Sequence, residues 1–334
     1  VVSNQRMLLD RLGFEVTLFV LENKIGYPFA GDIHVYNFQS KEKLLKKIYN
    51  YKKLKENIHK GQFDFIFDHR YRLNTFMESI WLKYVYRNQN LVYFIHNGEI
   101  EKYINSRIIK NPKIQFIAVS KGIEDKIKSL YHINNIQTIY NSVEVTTEEI
   151  EFEEKNDEYI LAIGRMSKPN IKQFDVLIDC YSQSILPLNN IKLIILGDGE
   201  LNQVFKEQVL RLNLEEYITF KGFQSKPYSY YKNAKFLVLS SKFEGLPTVL
   251  IESLLSGTPV VAYDCEFGPS EIIQHKINGL LVENQNKSEL IKTMNLLIQD
   301  ENLYKKLCIN SKKSAQKFTP KSIEQKWISF FNNK

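Results

Sequence analysis

Cysteine is scarce in this sequence. The chain holds three, Cys180, Cys265 and Cys308, odd in number, far apart and without a CxxC pair. That pattern argues against a disulfide framework or a zinc knuckle and favours a reducing, cytoplasmic setting. Long apolar runs are also missing: no stretch approaches the ~20 residues that a membrane-spanning helix needs. Val1–Leu12 mixes polar and apolar residues and carries Asp10 and two arginines, so it does not read as a signal peptide. No GxGxxG follows a strand-like run, and no GxxxxGK precedes a Ser or Thr, which argues against dinucleotide and P-loop sites. No low-complexity tract or internal repeat stands out. The lysines come without an RRM, KH or zinc-finger signature, so nucleic acid is not expected as a partner.

What is present is an ordinary globular composition, with 43% hydrophobic and 25% charged residues over 334 positions. At roughly 100–200 residues per domain, that length suggests two domains. Net charge is +7, from 45 basic and 38 acidic residues, and it is unevenly spread. Residues 1–143 hold 22 Lys and Arg against 13 Asp and Glu, a net +9; the remainder holds 23 against 25, a net −2. A basic half beside a near-neutral half suggests that the first half meets an anionic partner.

Hydrophobic periodicity predicts an alternation of short apolar strands and helices, hence α/β architecture with parallel sheets covered on both faces. Val1–Leu12 reads as an amphipathic helix with Val2, Met7 or Leu8, and Leu12 on one stripe, stopped by Gly13. Strands are expected at Phe14–Leu21, Phe63–Phe67, Asn90–Ile95 and Gln115–Val119, with a helix over Lys121–Leu130. The strand that should precede the first helix is absent, so an N-terminally incomplete first domain is expected. We place that domain at 1–143, an acidic linker at 144–157, a second doubly wound domain at 158–318 and a last helical segment at 319–334 returning toward the first. Two such domains in tandem imply a ligand cleft at the carboxyl ends of their sheets.

The densest signal runs from Ser240 to Pro259. A strand enters a loop with Gly245, then a helix with Pro247 at its start and Gly257 at its stop. The amides of Thr248 and Val249, with the helix dipole, form an anion site. Glu244 sits just before it, in reach of hydroxyls attached to such an anion. Glu252 lies among Val249, Leu250, Ile251, Leu254 and Leu255, and a carboxylate there needs a partner, either a ligand hydroxyl pair or an internal one. Gly164-Arg165 follows strand Tyr159–Ile163, with Lys172 seven positions beyond Arg165. That pair either grips a phosphate or is a solvated loop. Gly197-Asp198-Gly199-Glu200 follows the next strand; its carboxylates suit an N-cap better than a metal, and no metal ligands are assigned.

These pieces together resemble the family-four retaining glycosyltransferases of the GT-B class, in their bacterial surface-polysaccharide subgroup. The resemblance rests on Glu244 and Glu252 in Phe-Glu-Gly-Leu-Pro-Thr-Val-Leu-Ile-Glu, on Gly164-Arg165 with Lys172, on the Gly197-Asp198-Gly199 turn, and on Gly222 after the next strand. Gly268-Pro269-Ser270-Glu271-Ile272-Ile273 and Asn278-Gly279-Leu280-Leu281-Val282 extend it. The resemblance implies two Rossmann-like domains facing a cleft, and transfer of a hexose from a nucleotide diphosphate sugar, UDP-linked, to a glycan or lipid-linked acceptor. It implies that Arg165 and Lys172 bind the diphosphate, that Glu252 holds the ribose, and that Glu244 contacts the donor sugar. Thr248 and Val249 then cap the distal phosphate, Phe223 faces the base, and Gly164, Gly197 and Gly245 let the backbone come close. His96, after Tyr93-Phe94-Ile95, matches a histidine that reaches the donor sugar; read alone, it is also an ordinary core or surface histidine. The donor is a substrate, so no cofactor is expected. Two departures stand out: the family's first strand and glycine-rich loop are absent, and Gln173 replaces the glycine usual after the lysine. A nucleotide-sugar 2-epimerase on the same fold is the rival enzyme, but the six histidines show no acid/base cluster in the sequence. A truncated member that binds donor without turnover is the other alternative.

Residues 41–60 carry eight lysines against Glu42 and Glu56, with Leu44, Leu45, Ile48, Tyr51, Leu54 and Ile58 at three- and four-residue spacing. The stripe either faces the core or lays the protein on an anionic membrane, peripheral to the inner face of the cell membrane.

Overall fold

The computed structural model describes residues 2–21, 32–38, 44–72, 74–104, 106–109, 111–145 and 157–332. The chain forms two compact units, Val1–Ser142 and Val143–Lys334. Most of the expected linker, and Ser40–Lys43, lie outside the described residues.

In the first unit the elements run α1 (Val2–Arg11), β1 (Leu18–Val20), β2 (Ile33–Val35), α2 (Leu44–Lys60), β3 (Ile66–Asp68), α3 (Thr75–Ile80), β4 (Leu91–Ile95), α4 (Ser106–Ile109), β5 (Ile114–Ala118), α5 (Lys121–Tyr131) and β6 (Ile136–Thr138). A five-residue π-helical turn, Trp81–Val85, continues α3. The strands form a parallel pair, β1-β2, and a parallel four-stranded sheet, β3-β4-β5-β6. The central strand β4 is buried along its whole length, as a strand covered on both faces must be.

One expectation needs correction here. The first strand does not begin at Phe14. Gly13, at φ +85°, closes α1 with Gly13 N–H on Asp10 O and Phe14 N–H on Leu9 O, a Schellman ending that keeps Phe14 in the helix cap. The buried residues of α1 are Leu8 and Leu9, while Met7 is exposed, so of the two alternatives for the stripe it is Leu8 that faces inward.

The second unit contains β7 (Tyr159–Ile163), α6 (Phe174–Ser182), β8 (Lys192–Leu196), α7 (Asn202–Arg211), β9 (Ile218–Gly222), α8 (Tyr228–Asn233), β10 (Leu237–Leu239), α9 (Thr248–Leu255), β11 (Val260–Asp264), α10 (Pro269–Ile272), β12 (Gly279–Glu283), α11 (Lys287–Gln299), α12 (Glu301–Ser314) and α13 (Pro320–Asn332). All six strands are parallel, in the order β12-β11-β10-β7-β8-β9. After β7 the chain builds outward through β8 and β9, then crosses to β10 on the other side of β7. The order therefore reverses between β7 and β10, where an open α/β sheet leaves a crevice at its carboxyl edge. The core beneath is continuous, with Ile160, Leu193, Ile195, Phe236, Val261 and Val282 almost wholly buried. Burying such a side chain is worth about 1.5–3 kcal/mol each, which fixes where the strand ends and their loops lie.

Candidate functional site

At the reversal in the second unit, the loops after neighbouring strands touch through glycines. Gly197, at φ +126°, lies so close to the loop after β7 that a Cβ there would come within 1.9 Å of Gly164 O. Gly197 N–H donates to Gly222 O at 2.8 Å, and Gly164 N–H to Leu196 O at 3.0 Å. A Cβ on Gly164 would press on the Lys172 stem at 3.0 Å. On the other side of the reversal, Lys242 N–H donates to Ile171 O at 2.8 Å and Ser240 Oγ to Lys172 O at 2.8 Å. Gly268, at φ +92°, sets the loop after β11 against Gly245 and Pro247.

Lys172 and Glu244 meet across this reversal, Nζ to Oε1 at 2.5 Å, although 72 positions separate them. The exposed Arg165 has no such partner among the described residues, so its guanidinium is unspent. No side chain caps α9, so its first amides, Thr248 and Val249, point out of the helix start. Glu252 lies one turn further in. It accepts a hydrogen bond from Tyr231 Oη at 2.7 Å on Oε2, and Tyr231, itself buried, accepts from Thr258 Oγ1 at 2.6 Å through its carbonyl. One carboxylate oxygen of Glu252 is thus fixed from below, and the other is left for a second partner. Phe223 follows β9 and is 54% exposed.

The structure thus gathers Gly164, Lys172, Gly197, Glu244 and Gly245 along one edge, with Arg165, Thr248, Val249, Glu252 and Phe223 on the loops and helix of the same edge. Such an edge offers cationic groups, helix amides and close-approaching backbone to an anion, and a carboxylate to a diol. The Asp198-Gly199-Glu200 turn does not cap α7 as expected. Asp198 Oδ1 accepts from Gly199 N–H and Asn202 Nδ2, Glu200 Oε1 accepts from Lys168 N–H, and the N-cap position is Leu201. Gln173 sits at φ +50° in the left-handed region, which accounts for glycine being usual there. Its side chain pairs with that of Gln285 at 2.9 Å.

In the first unit His96 stands just past β4, also at a carboxyl edge. It is not alone. His69, just past the neighbouring strand β3, places Nδ1 2.8 Å from His96 Nε2, and both rings stack with Phe94. The sequence reading found no histidine cluster; parallel pairing of two strands, each followed by a histidine, is the signal that would have found this pair. Desolvation is the main cause that pushes His96 down to about 4 and His69 well below the ordinary histidine value. Around them lies an ionic knot. Asp68 accepts from Arg70 Nη2 at 2.6 Å and from Tyr86 Oη at 3.0 Å, and pairs with Arg72 at 3.2 Å. Glu78 accepts from Tyr93 Oη at 2.5 Å. Burial would raise the Asp68 carboxyl, but Arg72 and Arg70 outweigh it and hold it well below the usual carboxylate range.

The α2 stripe divides. Leu54 and Ile58 are buried, and Tyr51 accepts from Trp81 Nε1 at 2.9 Å. Leu45, at 81% exposure, with Ile48 and Tyr49, lies on the opposite, lysine-bearing face. The side chain of Leu44 lies outside the described residues.

The model of the family described as glycosyl transferases group 1 matches residues 144–314. This chain belongs to that family. The glycosyltransferase family 4 model matches residues 1–147. A Staphylococcus aureus poly(ribitol-phosphate) alpha-N-acetylglucosaminyltransferase is 27% identical over 234 residues, 70% of this chain and 46% of that protein. An amylovoran biosynthesis glycosyltransferase of Erwinia amylovora is 30% identical over 206 residues, 62% of this chain and 57% of that protein. The chain therefore spans about half the length of these curated relatives. The crystal structure of Anabaena HepE in complex with UDP-glucose matches with a TM-score of 0.74 at 20% identity, covering 91% of this chain and 86% of that one. This member of the group 1 family has the GT-B fold, with two Rossmann-like units. No helix among its described residues is long and apolar enough to cross a membrane.

Proposed function

We propose that this protein transfers a hexose, with retention, from a UDP-sugar to a glycan or lipid-linked acceptor in bacterial surface-polysaccharide synthesis. The observation that carries the reading is the carboxyl edge at the β7/β10 reversal. There an arginine with no side-chain partner among the described residues, a lysine, an uncapped helix start and a braced carboxylate are gathered. Names of relatives and neighbours support the donor and the acceptor class: one transfers N-acetylglucosamine onto poly(ribitol-phosphate), and one is crystallised with UDP-glucose.

The chemistry follows from the leaving group. As the glycosidic bond breaks, charge grows on the diphosphate, and preorganised donors aimed at that charge lower the barrier most. Arg165 and Lys172 hold the diphosphate, and the amides of Thr248 and Val249 cap its distal phosphate. Glu252, with one oxygen held by Tyr231, offers the other to the ribose hydroxyls, and Phe223 lies against the base. Donor binding exchanges the Lys172–Glu244 ion pair for contacts to diphosphate and sugar, so Glu244 is held ready for the hexose until the donor arrives. His96 orients the sugar as a neutral imidazole. The acceptor hydroxyl attacks on the face from which the diphosphate departs, and the departing phosphate takes its proton. The two carboxylates of the knot, Asp68 and Glu78, are spent on arginines and tyrosines, so the knot itself offers a 2-epimerase no free acid.

Incubation with UDP-, GDP- and ADP-sugars tests the reading. UDP release that depends on an added glycan or lipid-linked acceptor supports it. Interconversion of the sugar without release, or binding of UDP-sugar with no turnover under any acceptor, points to the epimerase or to a donor-binding member.

The exposed face of α2 supplies a second part of the proposal, contact with an anionic membrane surface. Leu45, Ile48 and Tyr49 stand in solvent among lysines, each of which is worth about 1 kcal/mol near such a surface. Co-sedimentation with phosphatidylglycerol vesicles, lost on Lys52 and Lys53→Glu and absent with phosphatidylcholine, is the expected result. Binding indifferent to lipid charge and salt would contradict it.

A further inference from the structure

The pairing of His69 with His96 limits what His96 can do. Two ring nitrogens 2.8 Å apart share one proton between them. In a neutral pair, one facing nitrogen donates and the other accepts, so fixing one ring's tautomer fixes the other's. His96 Nε2 is consumed in this bond, and Nδ1 is the ring nitrogen left to it.

The loops that carry the two histidines are sewn together. Arg72 N–H donates to Lys102 O at 2.6 Å, and Arg72 Nη1 to Tyr103 O at 3.3 Å. Asn97 Nδ2 donates to Tyr71 Oη at 3.1 Å, and the rings of Tyr71 and Tyr103 meet at a tilt of 40° with centroids 4.8 Å apart. His69 is also flanked in sequence by Asp68 and Arg70, both locked in the ionic knot. The two loops cannot part without breaking this stitching.

We propose that His69 is a positioning residue that holds His96 in a single neutral tautomer and leaves His96 Nδ1 as the nitrogen that meets the sugar. The proposal rests on the glycosyltransferase reading for the sugar, but not for the dyad itself. The side chains that face the pair are Asp68 and Arg72, from the end of β3 and its loop, and Tyr103, from the loop beyond β4. At His69 the Arg72 guanidinium opposes the Asp68 carboxylate, and desolvation decides for neutral rings at both positions. A neutral, tautomer-fixed imidazole orients a hydroxyl; it does not serve as a cation for the diphosphate.

Side-chain nitrogen NMR of the full chain, labelled at its six histidines, reads the dyad without any need for turnover. In the wild type, His96, assigned by loss of its signals in His96→Gln, is expected to show one neutral tautomer with no titration from pH 8 to 5. In His69→Phe its two nitrogens move toward averaged values, while burial still keeps the ring from titrating near the ordinary histidine range. Wild-type His96 shifts that already average and titrate there, or shifts unchanged by His69→Phe, overturn the proposal. In turnover, His69→Phe lowers kcat about fivefold to tenfold, the worth of one hydrogen bond, with donor KM little changed. His69→Asn, which keeps an N–H at that place, recovers part of it; equal losses in both variants contradict positioning. If no nucleotide sugar is turned over by the wild type, the transfer reading falls while the nitrogen shifts still decide the dyad.

Discussion

In the first unit, the loops beyond β3 and β4 are bound by buried ion pairs, stacked rings and a histidine pair. In the second unit, the loops beyond β7, β8, β10 and β11 are brought together by glycines, with Arg165 standing exposed and α9 uncapped. Both are carboxyl edges of parallel sheets, so topology alone does not set their chemistry. The first edge satisfies its own charges: Asp68, Glu78, Arg70 and Arg72 are spent on one another and on Tyr86 and Tyr93. The second leaves donors unspent, which makes it the edge that an anionic ligand can complete. Net charge alone does not show this difference. The first unit is the more basic, but its basic residues at the edge are internally paired, and its excess charge lies partly on the outer face of α2.

The largest effect should come from the unspent donor. Arg165→Ala is expected to lower turnover about 10²–10³-fold, because a donor aimed at developing charge is worth that much. Lys172→Ala should cost less donor affinity than its charge suggests, since the free enzyme already spends that charge on Glu244. Near wild-type turnover in Arg165→Ala, measured by UDP release, would erase the contrast between the two edges.

Next is the close approach that builds the second edge. Gly197→Ala combines a left-handed backbone with a Cβ 1.9 Å from Gly164 O. A loss of about 3 kcal/mol or more in unfolding free energy is expected, from strain and overpacking together. A melting temperature within a degree of wild type would show that these loops move apart freely.

The first edge should reveal itself in acid. Because the folded-state value of His96 is depressed to about 4, the unfolded chain takes up the proton first as pH falls below the ordinary 6.5. The stability contributed by keeping His96 and His69 neutral is therefore full above about pH 6.5 and is lost as pH falls toward about 4. Hydrogen exchange followed by mass spectrometry from pH 7 to 4 should show the first unit losing protection before the second. Simultaneous loss, or the second unit opening first, would contradict this.

The smallest effect is expected at Gln173. Gln173→Gly removes a side chain held at φ +50° and gives up only the exposed pairing with Gln285. Stability should change by no more than about 1 kcal/mol, with donor affinity unaltered. A large fall in affinity would mean that the glutamine pair shapes the donor site.

Much of the second unit was legible in the sequence because its punctuation is strong. Strand, glycine loop and helix recur there, and Pro247 and Gly257 bracket α9 within a residue or two of the expected ends. The strands β2 and β6 were not legible. Each is three residues long and includes a polar residue, His34 or Gln137, so it carries no clear alternation. The π-helical turn Trp81–Val85 has no sequence signature of its own and is held by tertiary contacts, including Arg70 over the Trp81 ring at 3.8 Å. At the site, residues that sit on glycine loops or a helix start were found. Those defined by a partner were not: Tyr231 lies 21 positions from Glu252, and His69 lies 27 from His96. Such pairs depend on strand order, which local patterning does not encode.

In the proposed function, the carboxyl edge at the β7/β10 reversal binds a nucleoside diphosphate through unspent donors and a braced carboxylate. Calorimetric titration of UDP into wild type, Arg165→Ala, Glu252→Ala and Tyr231→Phe tests it most directly. Glu252→Ala should weaken binding roughly 10–150-fold, the worth of a charge-assisted hydrogen bond of about 1.5–3 kcal/mol. Tyr231→Phe should weaken it only several-fold, with Arg165→Ala weaker than wild type as well. A wild type that does not bind UDP, or a dissociation constant unchanged in both Glu252→Ala and Arg165→Ala with the fold intact, would contradict the claim.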